Sequence, residues 1–308
     1  MIVGSLLFRV RGLLERTVFL PKAAPYILVL PFLVSFCMFF LFPLVSSVQM
    51  SMMKYEGFTE SVFVGLDNYK ALWNPRFFEA IRVTMTYTFC TIAILVPVPL
   101  FLAVLINSKS CIASTFFKSA YFIPQLTSVI VAGIFFRYAF SDTPTALINT
   151  IAGFFGADPV LWLKEKLPVM VAMVTLCVWR WFGVNLVYFL SSMQGISPEL
   201  YEAAAIDGAS AWRQFLHVTL PGLKPTIIYV ITISVYGGFA MFSESYILFS
   251  SSRTPGDIAG TMVGYIYQMA FVEARLGFAA AAGIVLLVLV LVINIAQLNL
   301  FGMFKKEE

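Results

Sequence analysis

Six long apolar stretches, over residues 26–48, 82–106, 119–140, 168–193, 224–248 and 277–302, alternate with polar segments along this chain of 308 residues. Each is near the ~20 residues that an α-helix needs to cross the hydrocarbon core of a bilayer. The pattern predicts an all-α polytopic membrane protein with six transmembrane helices. Pro97 and Pro99 fall within the second stretch, where they should kink the helix. The polar segments divide the remainder into a leading segment 1–25, an extracytoplasmic loop 49–81, a core 82–302 interrupted by a long loop at 194–223, and a tail 303–308. In the leading segment Leu6, Leu7, Val10, Leu13, Leu14 and Val18 recur at helical intervals between Arg9, Arg11, Glu15 and Arg16. That spacing predicts a helix lying in the membrane interface.

The loop at 194–223 has a distinct pattern. Ser197 can cap a helix, and Pro198 suits its first position, where a missing N–H costs nothing. Glu199 and Glu202 favour the positive end of the helix dipole, and Ala203, Ala204 and Ala205 have high helix propensity. Gly208 should end this helix, Ser210 can start a second, and Pro221 should stop that one. Two short helices around a glycine break form a projecting handle, suited to docking a soluble partner.

Composition agrees with the span pattern: 60% of residues are apolar and only 12% charged, with a mean hydropathy of +0.90. A soluble domain of this length is not so apolar, so the bilayer is the expected solvent. Arg9, Arg11, Arg16 and Lys22 precede the first span, Lys305 and Lys306 follow the last, and Lys109, Lys118, Arg213 and Lys224 occupy the even loops. Basic residues close to span ends set topology, which places both termini and the handle in the cytoplasm. The first apolar run is too long for a signal-peptide core and lacks a small-residue cleavage site, so an uncleaved anchor is expected. The net charge of +4 thus reflects topology, and no basic patch with interleaved aromatics points to nucleic acid.

Chemistry-bearing motifs are sparse. Cys37, Cys90, Cys111 and Cys177 are scattered without zinc-ligand or redox spacing. His217 is the only histidine, so no metal site is expected. The chain has no phosphate-binding Gly-x-x-x-x-Gly-Lys-Ser/Thr loop, no nucleophile elbow and no zinc-protease motif. It is expected not to be an enzyme by itself.

The run Glu202-Ala203-Ala204, Asp207-Gly208-Ala209, then Leu220-Pro221 followed by Pro225 resembles the cytoplasmic signature of permease subunits of bacterial ATP-binding-cassette importers. In the first external loop, Phe63-Val64-Gly65-Leu66-Asp67-Asn68-Tyr69, Leu72, Asn74-Pro75, Phe77 and Ala80 resemble the carbohydrate-uptake branch, which includes the maltose and glycerol-phosphate permeases. The resemblance runs from about residue 25 to near the end of the chain. It implies a type I importer permease fold whose handle is a coupling helix seated in a cytoplasmic ATPase, with Glu202, Ala203, Ala204, Asp207, Gly208, Leu220 and Pro221 as coupling residues. It also implies a second, related permease subunit, two ATP-binding-cassette subunits that bind ATP and Mg, an extracytoplasmic binding protein, and a bacterial inner-membrane location. No cofactor is expected on this chain itself. The external segment suits packing or contact with the binding protein equally.

Two spans carry polar groups suited to a substrate path. The fourth contains Trp179-Arg180-Trp181-Phe182-Gly183-Val184-Asn185. An arginine near a helix centre costs ~2.5–3.5 kcal/mol on insertion, so Arg180 should face a cavity or a partner. Trp179, Trp181 and Asn185 combine stacking surfaces with a polar amide, as a sugar site requires. One helix cannot aim all of them at one cavity, and the tryptophans suit packing as well. In the fifth, paired Gly237 and Gly238 follow Tyr236, and Ser243, Glu244, Ser245 and Tyr246 form a polar cluster. Glu244 could accept a hydroxyl or join an ion pair. At ~1.5 Å per residue, Arg180 lies about 18 Å from the outer surface and Glu244 about 6 Å, which argues against their pairing. The sixth span opens with Gly277-Phe278-Ala279-Ala280-Ala281-Ala282-Gly283, suited to close helix approach, and Asn294 and Gln297 can bond across helices.

The function expected from these features is a permease subunit forming half of the pathway for a sugar or oligosaccharide. The alternatives are a gradient-driven secondary transporter, disfavoured by the scarcity of intramembrane carboxylates, and a permease for a non-sugar such as a glycerol phosphodiester.

Overall fold

The computed structural model describes residues 24–56, 60–107, 114–252 and 254–303. The interfacial segment expected over 1–25 and the tail expected over 303–308 lie almost wholly outside the described residues, as does Cys111. The protein is predominantly helical. Its elements are α1 (Ala24–Ser51), a two-stranded antiparallel hairpin of β1 (Met53–Glu56) and β2 (Glu60–Phe63), α2 (Asp67–Ala71), α3 (Pro75–Leu95) and α4 (Pro97–Asn107). These are followed by α5 (Ser114–Leu126), α6 (Val129–Ala139), α7 (Leu147–Phe154), α8 (Lys166–Met193), α9 (Pro198–Ile206) and α10 (Ala211–Gly222). The last four are α11 (Lys224–Phe239), α12 (Ser243–Phe249), α13 (Met262–Val272) and α14 (Leu276–Leu300).

Among the described residues, four helical stretches are long and apolar enough to cross a membrane: α1, α3 with α4, α8 and α14. The number rises to six if each of two bent pairs is one span. The bent pairs are α5 with α6 and α10 with α11, so the second takes in a helix of the loop at 194–223 and not α12. Two predicted spans are, in addition, not straight helices. The stretch 119–140 is divided between α5 and α6, which meet at 93°. Pro124 in the last turn of α5 weakens that helix, and Ser128 adopts an extended conformation (φ −53°, ψ 134°) from which α6 starts afresh. The stretch 224–248 breaks at Ala240–Phe242, where Phe242 leaves helical geometry (φ −142°, ψ −50°) before α12 begins. The expected prolines act in the second span, where α3 gives way to α4 at Val96.

Packing explains which side chains are buried. The α8 helix runs through the centre, with Val169, Ala172, Met173, Leu176, Leu186 and Phe189 fully enclosed. It approaches α5 so closely at Gly183 that a Cβ there would overlap the backbone carbonyl of Tyr121. In α14 the small-residue face is buried at Gly277, Ala279, Ala281 and Ala282, and Gly277 rests on the backbone of Met50 and Met53. Gln297 does bond across helices, donating to Ile228 O at 3.2 Å, whereas Asn294 donates to Val290 O of its own helix at 3.0 Å. From Ala24 to Met50, α1 buries no side chain within the chain, and its exposed Phe, Leu and Val residues suit lipid or a neighbouring subunit.

The segment between the hairpin and α3 is tied to its neighbours by side-chain hydrogen bonds. Asn68 donates to Ser51 O and Met53 O, both at 2.9 Å, and the Tyr69 hydroxyl meets Ser51 Oγ at 2.6 Å. Asn74 caps α3 by accepting from the Phe77 N–H at 3.0 Å, which starts that helix seven residues before the predicted 82. Leu72, Phe77 and Ala80 are buried against Tyr265 and Phe278.

Candidate functional site

A cavity of about 320 Å³ opens between α3, α8, α11 and α12. Residues 177, 181 and 185 are four apart, so Cys177, Trp181 and Asn185 share one face of α8 and line it together. Opposite them lie Tyr236, Gly237 and Gly238 at the end of α11 and Ser243 and Glu244 at the start of α12. The lining is largely apolar with a few polar groups, the composition of a small-molecule site. Tyr87 and Thr91 of α3 complete it, and neither was singled out from sequence. Their four-residue spacing within an apolar span was the available signal.

Five of the eight pathway candidates therefore meet at one cavity: Trp181, Asn185, Tyr236, Ser243 and Glu244. Trp179 points elsewhere and packs on Phe136, with ring centroids 5.6 Å apart. Tyr246 joins an aromatic group with Phe242 and Tyr267, at centroid distances of 5.2 and 5.9 Å. Arg180 is outside the lining, yet its Nη1 lies 3.4 Å from Glu244 Oε1, with both side chains only 12% exposed. The depth count had separated them. It treated the fifth span as one straight helix, whereas the break at Ala240–Phe242 turns α12 back against α6 and α8.

Asn185 has a structural partner as well. Its Nδ2 donates to Leu95 O at 2.9 Å, and both groups are buried. In a continuous helix, the N–H four residues on would serve that carbonyl, but position 99 is proline and has no N–H. The amide thus satisfies a carbonyl that Pro99 leaves without a helical donor, and it holds α3 to α8 beside the cavity.

The handle consists of α9 and α10. Ser197 occupies the cap position of α9, but contrary to expectation its side chain makes no capping bond. The end of α9 follows the sequence closely. Gly208 takes φ +75°, its N–H bonds Ala205 O at 3.0 Å, and the Ala209 N–H bonds Ala204 O at 2.9 Å. This is a Schellman ending, which needs a left-handed residue at the glycine position. Ser210 Oγ accepts from the Arg213 N–H at 3.5 Å to start α10.

Pro221 does not stop that helix, which runs on to Gly222. Phe215–Thr219 instead widens into a π turn in which the Leu220 N–H bonds Phe215 O, an arrangement that accommodates the proline. The Tyr201 hydroxyl and Thr219 Oγ1, 3.0 Å apart, tie the two handle helices together. Glu202, Ala203, Asp207 and Gly208 are exposed, as are Leu200, Ile206 and Trp212, so the handle offers a mixed polar and apolar surface. Ala204 and Leu220 are half-buried.

The handle joins the helices that line the cavity. The α8 helix carries Trp181 and Asn185 and leads through Ser197 into α9. The α10 helix leads through Leu223 into α11, bent by 63°, and α11 carries Tyr236 to Gly238.

Comparisons with known proteins agree with this architecture. The family model described as "binding-protein-dependent transport system inner membrane component" matches residues 1–301. The arabinooligosaccharides transport system permease protein AraP of Bacillus subtilis (strain 168) is 49% identical over 286 residues, covering 93% of this chain and 91% of that protein. The lactose transport system permease protein LacF of Rhizobium radiobacter is 29% identical over 274 residues, covering 88% and 92%. A chain from the crystal structure of a bacterial ABC transporter involved in the import of the acidic polysaccharide alginate superposes with a TM-score of 0.79 at 24% identity, over 97% of this chain and 100% of that one. The two chains thus share the fold of an importer permease. On the strength of the match over residues 1–301, this chain belongs to the family of inner membrane components of binding-protein-dependent transport systems.

Proposed function

We propose that this permease forms half of the translocation pathway of an ATP-driven importer for a short oligosaccharide, with arabinooligosaccharides the first ligands to test. The observation that carries the reading is the continuity of handle and cavity: α9 and α10 lie in the chain between α8 and α11, which supply opposite walls of the cavity. A partner that moves the handle displaces both walls, as coupling between a soluble motor and a membrane path requires. The names of the 49% and 29% identical relatives support a saccharide ligand. So does the cavity, where Trp181 and Tyr236 offer ring faces and Asn185, Ser243 and Glu244 offer polar groups.

The partners in this account are a second permease subunit, two cytoplasmic ATPase subunits that hold ATP and Mg, and an extracytoplasmic binding protein that delivers the ligand. Both termini face the cytoplasm in the inner membrane, on the same side as the handle. Glu202 sits in the second turn of α9, exposed and able to meet a basic group on the ATPase.

Gly208→Val tests the coupling. A β-branched residue is strained at φ +75°, although no neighbouring atom lies within 4 Å of a Cβ there. The variant should assemble with its partners and retain ATP hydrolysis, while oligosaccharide taken up per ATP hydrolysed in proteoliposomes falls at least about tenfold, an effect of ~1.4 kcal/mol. An unchanged ratio would contradict the role given to the handle.

A further inference from the structure

The Arg180–Glu244 pair is arranged asymmetrically about the cavity. Among the described residues, Glu244 is the only charged side chain in the lining. Arg180 lies behind it, outside the lining, with Nη1 3.4 Å from Glu244 Oε1. Arg180 Nε is buried and has no hydrogen-bond partner among the described residues. The cation sits beside the carboxylate and compensates it, while Glu244 and not Arg180 belongs to the cavity lining. The negative end of the pair faces inward.

We propose that this pair sets the charge selectivity of the cavity, admitting uncharged polyhydroxylated ligands and rejecting anionic ones. The inference rests on the saccharide reading given above and specifies which saccharides fit. A carboxylate is an acceptor with two oxygens, suited to sugar hydroxyls, and charge-assisted bonds of this kind are the stronger ones. A uronic acid placed in the same cavity would bring a second carboxylate beside Glu244. In a largely apolar cavity, like charges brought together are disfavoured. Trp181 and Tyr236 supply ring faces that do not distinguish neutral from acidic sugars, so discrimination falls to Glu244.

The test is calorimetric titration of the purified importer complex, without its binding protein, using a neutral arabinotriose and a trimeric oligouronate. Wild type should bind the neutral trimer at least about tenfold tighter than the oligouronate. Glu244→Gln removes the inward-facing anion and leaves Arg180 as an unpaired cation, so that ratio should fall at least about tenfold. If the single variant does not assemble, Arg180→Gln with Glu244→Gln removes both charges, and the preference for the neutral trimer should be lost there as well. An unchanged ratio in the variant that assembles would overturn the inference, as would wild type binding both trimers equally. Wild type binding neither trimer would instead remove the saccharide reading itself, and this inference with it.

Discussion

Pro99 has no N–H to offer Leu95, and the amide of Asn185 supplies a donor to that carbonyl from another helix at 2.9 Å. This pairing makes a prediction at the scale of one bond. Asn185→Leu leaves a buried carbonyl unsatisfied and should cost roughly 1–3 kcal/mol. Pro99→Ala restores an N–H in the right place, so the same Asn185→Leu change should cost measurably less in that background. Unfolding midpoints of the four proteins in detergent would show it, and additive effects would exclude the link. Residue identity made Asn185 legible as a polar group near a pathway, since an amide in an apolar span needs a partner. Which partner it has depends on a proline more than eighty positions away, and helical spacing alone does not bring the two together. Arg180 and Glu244 failed to pair on paper for a similar reason. Their depths were counted along straight helices, and the chain bends between them.

At the scale of elements, polar composition predicted existence and ends better than continuity. The handle was readable because its signals are local: alanines, acidic residues in the first turns, and a glycine whose φ of +75° closes a Schellman ending. Ser197 and Pro221 behaved otherwise. Ser197 marks the start of α9 without capping it, and the π turn at Phe215–Thr219 carries α10 past Pro221. Apolar runs over 119–140 and 224–248 concealed breaks, because hydropathy averages over Pro124 and Ser128, and over the polar Ser243-Glu244-Ser245 run. Close packing gives a sharper test. A Cβ at Gly183 would collide with the Tyr121 backbone carbonyl, whereas one at Gly237 would meet nothing within 4 Å. Gly183→Ala should therefore lower stability by about 1–3 kcal/mol or more through displacement of α5. Gly237→Ala should be neutral or slightly stabilising, because alanine favours the helix. Equal melting temperatures for the two variants would contradict the packing assigned to α8 and α5.

Across the whole molecule, the exposed apolar surface and the handle belong to one design. The lipid-suited faces of α1 and α14 hold the chain in the bilayer, while α8 and α11 connect the cavity to the exposed pair α9 and α10. In the proposed importer, energy enters through contact with the partner ATPase subunits. The handle is where such contact would reach both cavity walls at once. That claim is tested most directly by uptake of labelled arabinotriose into proteoliposomes holding this permease with its partner permease, ATPases and binding protein. The account predicts accumulation that requires ATP, persists when the proton and sodium gradients are collapsed, and is lost with Glu202→Lys on the handle. Accumulation driven by an ion gradient without ATP, or ATP-driven uptake unaffected by Glu202→Lys, would contradict it.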